Sequence, residues 1–201
     1  MIKNFSVFYV GSIDLDDVGL DGIPANDRNY KNQQLVQSME TAEKAAVLMD
    51  DLGYHSLWMA EHHFQREGYE CIPNVRMLST HLAAKTKHLK FGCGFNIVPM
   101  WHPLRLAEDY AMADILTGGR MIFGVGRGYH SREVETFGAP VIDNDANREL
   151  FEEQIEIILK AFNSDSFSHH GKNYTIPAQV PYRGYDLENI TLVPRPITLP
   201  V

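Results

Sequence analysis

Apolar positions along the first four fifths of the chain switch repeatedly between short runs and helical stripes. Phe5, Val7 and Tyr9 alternate with Ser6 and Phe8, which predicts a first strand over residues 4–10, too apolar on both faces to lie at a wet surface. From Lys31 to Leu52, the residues Leu35, Met39, Ala42, Ala46, Met49 and Leu52 fall on one stripe, so a helix is expected, closed by Gly53. Ser56 to Ala60 then reads as a buried strand. Residues 73–87 predict a second helix with Pro73 near its start and Val75, Leu78, Leu82 and Ala83 inward. A third strand over 89–98 breaks at Pro99, and Pro103 opens a third helix with Leu106, Ala107, Tyr110, Ala113 and Leu116 on its inner face. Met121 to Val125 is a fourth strand. The last helix, 145–162, would bury Leu150, Phe151, Ile155, Ile158 and Phe162.

Four strand–helix units with no hairpin signal between them imply parallel strands joined by right-handed crossovers. An open doubly wound sheet and a (β/α) barrel both obey that grammar. After Asn163 the grammar changes. Residues 167–176 suggest a short hairpin around Gly171, and Pro177, Pro181, Pro194, Pro196 and Pro200 then punctuate a stretch expected to form little regular structure. Two long loops interrupt the rhythm. One, 11–30, is acidic and rich in glycine and proline; a lid over a substrate and a solvated insertion are both open readings of it. The other, 126–144, is rich in charge.

Composition narrows the classes. The 201 residues carry a net charge of −8, which speaks against a sequence-independent grip on nucleic acid or on an anionic membrane. No apolar run approaches the ~20 residues of a membrane helix. The N-terminus has no apolar signal core, and the two cysteines, Cys71 and Cys93, stand in unrelated contexts. A reducing, cytoplasmic location is expected, without a disulfide framework or a metal site.

In parallel α/β folds the chemistry collects at the carboxyl ends of the strands. Here those ends are Tyr9-Val10-Gly11, Glu61-His62-His63, Phe95-Asn96 and Gly126-Arg127-Gly128. Two histidines, an amide, an arginine and a glycine-rich turn would face one rim. Gly124-Val125-Gly126-Arg127-Gly128 fails as a dinucleotide fingerprint, because its last glycine comes one residue early and no helix opens directly after it. It still offers close backbone approach and a cation to an anionic ligand. Adjacent histidines in Glu61-His62-His63 lack the helical spacing of a zinc hydrolase. His169-His170 reads as a solvated pair, and Trp58 and Trp101 as packing residues.

Four segments, Trp58–Phe64, Gly92–Pro99, His102–Asp109 and Gly118–Gly128, resemble the bacterial luciferase-like, flavin-dependent monooxygenases, in register from about Phe5 to Pro196. The resemblance implies a (β/α)8 TIM-barrel fold and reduced FMN with O2 as the reactive pair, the reduced flavin often coming from a separate flavin reductase. By position, His62 matches the family's catalytic histidine, which handles a proton as reduced flavin and oxygen react. Glu61 and His63 would flank it and fix its tautomer and position. Gly94-Phe95 falls where the family places a non-prolyl cis peptide beneath the flavin ring, with Asn96 beside it. Arg127, next to Gly126, and Arg148 fall on positions that reach the flavin phosphate. Where some luciferases carry a reactive cysteine, this chain has Gly126, so arguments from a thiol do not transfer.

A barrel of this type needs ~250 residues, and the rhythm here stops after four units. Residues 1–162 are therefore expected to be the N-terminal half of the barrel, and 163–201 a hairpin and proline-rich segment leading towards a fifth strand. The isolated chain would bind flavin weakly or not at all, and its open edges would favour a homo-oligomer or association with a second half. The expected function is oxidation of a small organic substrate by O2 with reduced FMN. The alternatives are a deazaflavin-dependent oxidoreductase on the same barrel and a truncated, non-catalytic flavin-binding or pairing module. The substrate pocket is expected to include Tyr9, Phe95, Trp101 and Tyr129.

Overall fold

The computed structural model describes residues 3–15 and 27–198. The middle of the predicted 11–30 loop lies outside them. The described residues divide into two compact units, Met1–Asn96 with Arg120–Val125, and Ile97–Gly119 with Gly126–Val201.

The first unit is built on a four-stranded sheet: β1 (Ser6–Tyr9), β2 (Ser56–Met59), β3 (Lys90–Cys93) and the short strand Met121–Ile122, paired in that order. Every pairing is parallel, with Ser6 opposite Ser56, Leu57 opposite Phe91, and Phe91 opposite Met121. The strands keep their sequence order and show no reversal of the kind that marks a doubly wound sheet. Leu57, Met59, Phe91, Cys93 and Met121 are buried, but β1 is the edge strand and leaves Phe5 and Phe8 more than half exposed. The alternating apolar pattern of β1 therefore does not mean burial on both faces: Val7 and Phe8, on opposite faces, are both exposed.

The predicted helix over 31–52 forms as two pieces, α1 (Asn32–Leu35) and α2 (Gln37–Asp51), joined at Val36. Ser38, Ala42, Ala46 and Met49 form the buried stripe, whereas Leu52 is exposed. The small alanines suit a helix packed closely on its neighbours. At the end of α2, Asp50 accepts the backbone N–H groups of Lys87, His88 and Leu89 at 2.7–2.8 Å, and these three donors hold its carboxyl below its ordinary range against the opposing effect of desolvation. Helix α3 (Val75–Ala83) starts two residues past Pro73 and is capped by Asn74, whose side chain accepts from the Met77 N–H. Arg120 then donates to Ala83 O, Thr86 Oγ1 and Leu89 O, tying the end of α3 to the start of β3.

Two glycines of the first unit make room for one side chain. A Cβ on Gly92 would come within 2.4 Å of the Trp58 ring, and one on Gly124 within 3.2 Å of the same ring and 1.8 Å of the Cys93 carbonyl oxygen. Trp58 is a packing residue, as expected, and its indole N–H donates to Ser56 Oγ at 3.0 Å.

The second unit centres on α4 (Pro103–Leu116) packed on α6 (Asn144–Asn163). Leu106, Ala107, Tyr110 and Ala113 of α4 are buried as expected, while Leu116 is exposed. On α6 the buried stripe is Gln154, Ile157, Ile158, Ala161 and Phe162, capped at the N-terminus by Asp143. The 126–144 loop contains a short helix, α5 (Ser131–Val134). The hairpin around Gly171 forms with His169–His170 antiparallel to Thr175–Ile176. The proline-rich stretch also contains a small antiparallel pair, Pro181–Tyr182 with Tyr185–Asp186, which the sequence pattern does not announce.

His169 is a correction. It is buried, with Nε2 3.1 Å from Glu153 Oε1, and only His170 is exposed. Its partner lies on α6, where a local reading of the hairpin could not find it. Among the described residues no helix is long and apolar enough to cross a membrane, and no group of three or more His, Cys, Asp or Glu could hold a metal ion.

Candidate active site

Strand β2 ends at Met59, and the chain then carries Glu61, His62 and His63 past the carboxyl edge of the sheet. Glu61 is 1% exposed, and a carboxylate so buried needs partners. One oxygen accepts from the side-chain amide of Asn96, and the other lies 3.4 Å from His63 Nε2. Asn96 in turn accepts from the guanidinium of Arg76 on α3. The result is a buried polar chain, Arg76–Asn96–Glu61–His63, that joins a helix to the ends of two strands. Because Arg76 occupies the Asn96 oxygen, the amide nitrogen must face Glu61.

His62 points to a different group. Its Nε2 lies 3.2 Å from Glu70 Oε1, and its backbone N–H donates to Ile72 O at 3.1 Å. Both His62 and Glu70 line a cavity of about 350 Å³ whose other walls include Leu35, Val36, Met39 and Pro73. The carboxylate next to His62 Nε2 is Glu70, and Glu61 is engaged with His63 and Asn96. Neither Glu70 nor Arg76 stands out in the sequence. Each reaches its partner through folding of the chain, with no local spacing to signal it.

The peptide between Gly94 and Phe95 is cis, as the resemblance implies. Phe95 is exposed, whereas Asn96 is fully buried and its backbone N–H donates to Gly124 O at 3.0 Å. Asn96 is thus a member of the buried polar chain, with its side chain spent on Glu61 and Arg76.

Tyr9, expected in a substrate wall, is anchored by its hydroxyl. Its hydroxyl lies 2.9 Å from the carbonyl oxygens of both Ser12 and Ser38, which compete for its one proton, and burial pushes its phenol up to about 12. Cys71, also on the cavity, is a half-buried thiol pushed up by burial, so it is not a thiolate near neutral pH.

Gly126 ends a separate two-residue strand, Val125–Gly126, Arg127 follows it, and Arg148 lies exposed in the early turns of α6. Buried Asn147 donates to the carbonyl oxygens of Arg127 and Pro140, which fixes the backbone at Arg127. Arg127 Nη1 is shielded from solvent and meets no acceptor among the described residues. Gly128, with φ +79°, turns so close that a Cβ would lie 2.7 Å from Ile97. Trp101 lines a separate cavity of about 460 Å³ with His102, Phe137, Leu150 and Tyr174, and Gln154 holds it by donating to Trp101 O and to the Tyr174 hydroxyl, each at 2.8 Å. Burial lowers the pKa of His102. Tyr129 is largely exposed.

Known proteins carry the same pattern. Residues 22–201 match the family model for luciferase-like monooxygenases. The chain is 34% identical over 130 residues to the oxygenase component of a flavin-dependent trigonelline monooxygenase from Acinetobacter baylyi, an overlap of 65% of this chain and 35% of that protein. It is 32% identical over 127 residues to limonene 1,2-monooxygenase from Rhodococcus erythropolis, covering 63% of this chain and 30% of that one. In fold it resembles the oxygenating constituent of 3,6-diketocamphane monooxygenase from Pseudomonas putida, solved with FMN, at a TM-score of 0.71 and 22% identity, over 93% of this chain and 47% of that chain. The chain thus spans less than half the length of each of these relatives. With the match covering most of its residues, the chain belongs to the luciferase-like monooxygenase family.

Proposed function

We propose that this chain forms the N-terminal half, the first four βα units, of a (β/α)8 barrel that oxidises a small organic substrate with O2 and reduced FMN. The observation that carries the reading is His62: an imidazole past the carboxyl edge of a parallel sheet, paired with a carboxylate, on the wall of a cavity large enough for a small organic molecule. The residues present also fit a flavin phosphate. Arg127 offers a buried guanidinium nitrogen with no protein acceptor among the described residues, and a guanidinium suits phosphate oxygens geometrically. Arg148, exposed on α6 of the same unit, is a second cation proposed for that group, and the Gly126 backbone beside Arg127 is a surface proposed to lie against the flavin.

When bound, reduced FMN supplies the electrons that activate O2. This chain's part is to bind, orient and move protons. His62 holds or releases a proton near neutral pH, as an imidazole can. Glu61 and Asn96, buried and mutually bonded, fix the backbone from which His62 and His63 project. The relative named an oxygenase component supports a separate flavin reductase as partner, and the open sheet edges of a half-barrel support a homo-oligomer or pairing with a second half.

Oxygen uptake tests the proposal, measured with reduced FMN and with a reduced deazaflavin. The protein would be the chain itself and a longer polypeptide joining it to a second barrel half. Uptake that needs FMN and falls at least tenfold in His62→Ala, with flavin affinity retained, is the expected result. Uptake-free turnover with deazaflavin, or unimpaired turnover in His62→Ala, overturns it.

A further inference from the structure

We propose that Glu70 is a positioning residue for His62, an inference that rests on the role given to His62 above. The pair is built into the loop that follows β2. On one side of Glu70, Gly68 O accepts the Ile13 N–H at 3.0 Å; on the other, the Cys71 N–H donates to Gly11 O at 3.1 Å. The Tyr30 N–H closes on Arg66 O, and the His62 N–H on Ile72 O, so the 62–72 segment is clamped at both ends and in its middle. Gln65 Nε2 lies 3.5 Å from the second carboxylate oxygen. With the backbone held on either side, the 3.2 Å approach of Glu70 Oε1 to His62 Nε2 is set by the loop. The two side chains are 9% and 23% exposed, so solvent screens the pair only in part.

A carboxylate can only accept, so a hydrogen bond across this 3.2 Å approach places a proton on His62 Nε2. The neutral ring then has Nδ1 as its basic atom, and the ionised carboxylate favours the imidazolium over the neutral ring. Among the described residues, the other charged or ionisable groups on this cavity are Arg66 and Cys71, from the same loop, and α1 and α2 contribute the uncharged side chains Asn32, Leu35 and Met39. Glu61 and His63 flank the ring along the chain. Glu70 therefore decides which nitrogen of His62 faces the reaction and over what pH range that nitrogen is free to take a proton.

Histidine-labelled protein, followed by long-range proton–nitrogen correlation across a pH series, tests this without flavin or substrate. The expected result is the Nε2–H tautomer in the wild type and a titration midpoint for His62 that falls by about one pH unit or more in Glu70→Gln, returning part of the way in Glu70→Asp. An Nδ1–H tautomer in the wild type, or an unmoved midpoint in a folded Glu70→Gln, overturns the inference. If neither variant folds, the wild-type tautomer alone decides. Intact turnover in His62→Ala would remove the role assigned to His62 while leaving this pair standing, so the two failures are distinguishable.

Discussion

Glu61 and Asn96 lie 35 residues apart in the chain and meet as a buried carboxylate and its amide donor, with Arg76 holding the far side of the amide. A charge this deep is stable only with its partners in place, so the bond fixes the ends of β2 and β3 against each other. Asn96→Leu removes the amide from Glu61 Oε2 and should cost about 3 kcal/mol of stability. Asn96→Asp should cost at least as much, because it sets a second carboxylate against the first. Urea unfolding monitored by circular dichroism reads both; a loss below about 1 kcal/mol would mean that the chain of bonds is decorative.

Gly92 sits under the Trp58 indole, and an added Cβ would approach the ring to 2.4 Å. Gly92→Ala must tilt the ring or part β2 from β3, for a loss of about 1–3 kcal/mol. Trp58→Leu in the same chain should recover part of it by vacating the space. Gly124→Ala should be worse, because the atom it meets at 1.8 Å is the Cys93 backbone oxygen, which cannot rotate away. Thermal unfolding of the two single variants and the double variant separates these outcomes.

The α/β rhythm was legible because each helix carries a full apolar stripe and each strand a short apolar run; α4 and α6 formed within a residue or two of their sequence limits. The parallel order of the first unit was legible for the same reason, since no two strands are close enough in sequence for a hairpin. Side-chain partnerships were not. Glu70 reads as one more acid in a polar loop until the Gly11–Cys71 and Ile13–Gly68 bonds fold that loop back on His62. Arg76 sits on a helix position that pattern assigns to solvent, yet it is 3% exposed because Asn96 draws it inward. His169 was misread because Glu153, its acceptor, comes 16 residues earlier on another element. Local pattern encodes which face is buried, whereas pairings across tens of residues depend on the closed chain.

Glu153 gathers the hairpin onto α6. It accepts from the backbone N–H groups of Asn173 and Tyr174 and from the Asn173 side chain, at 2.7–3.1 Å, and lies 3.1 Å from His169 Nε2. Burial works to raise its pKa, but these donors outweigh it and hold the carboxyl below the ordinary 4.5. A folded-state value lower than the unfolded one means that the contribution is fully present above pH 4.5 and is lost as pH falls through the folded value. Glu153→Gln should therefore lower the unfolding temperature at pH 7 and flatten its decline under acid. An unchanged acid limb in the variant would assign the acid sensitivity to other carboxylates.

Asp114, fully buried on α4, accepts from the backbone N–H groups of Ile197 and Thr198 at 2.7 and 2.8 Å and from the Thr198 hydroxyl. It straps that segment onto the helix. Asp114→Ala should release the strap, and the amides of Ile197 and Thr198 should exchange with solvent at least ~10-fold faster, equivalent to about 1.4 kcal/mol. Equal protection in the variant would show that the segment is held by something else.

Arg127 provides the sharpest separation of cofactor binding from folding. Its Nη1 is buried without an acceptor among the described residues, and Asn147 fixes its backbone by bonding to the carbonyl. A bound phosphate would satisfy that nitrogen. Arg127→Met removes the charge and the donor while keeping the length of the side chain, so it should not weaken the fold; a shielded donor nitrogen with no acceptor costs desolvation, and its loss is neutral or favourable. If the proposed role holds, reduced FMN should bind about 10- to 100-fold more weakly to the variant, whereas riboflavin, which has the same ring and no phosphate, should bind both proteins alike. The comparison is made anaerobically by flavin fluorescence on the longer polypeptide described above. An equal loss for the two flavins would place Arg127 against the ring or in the fold, and no loss for either would remove it from the site.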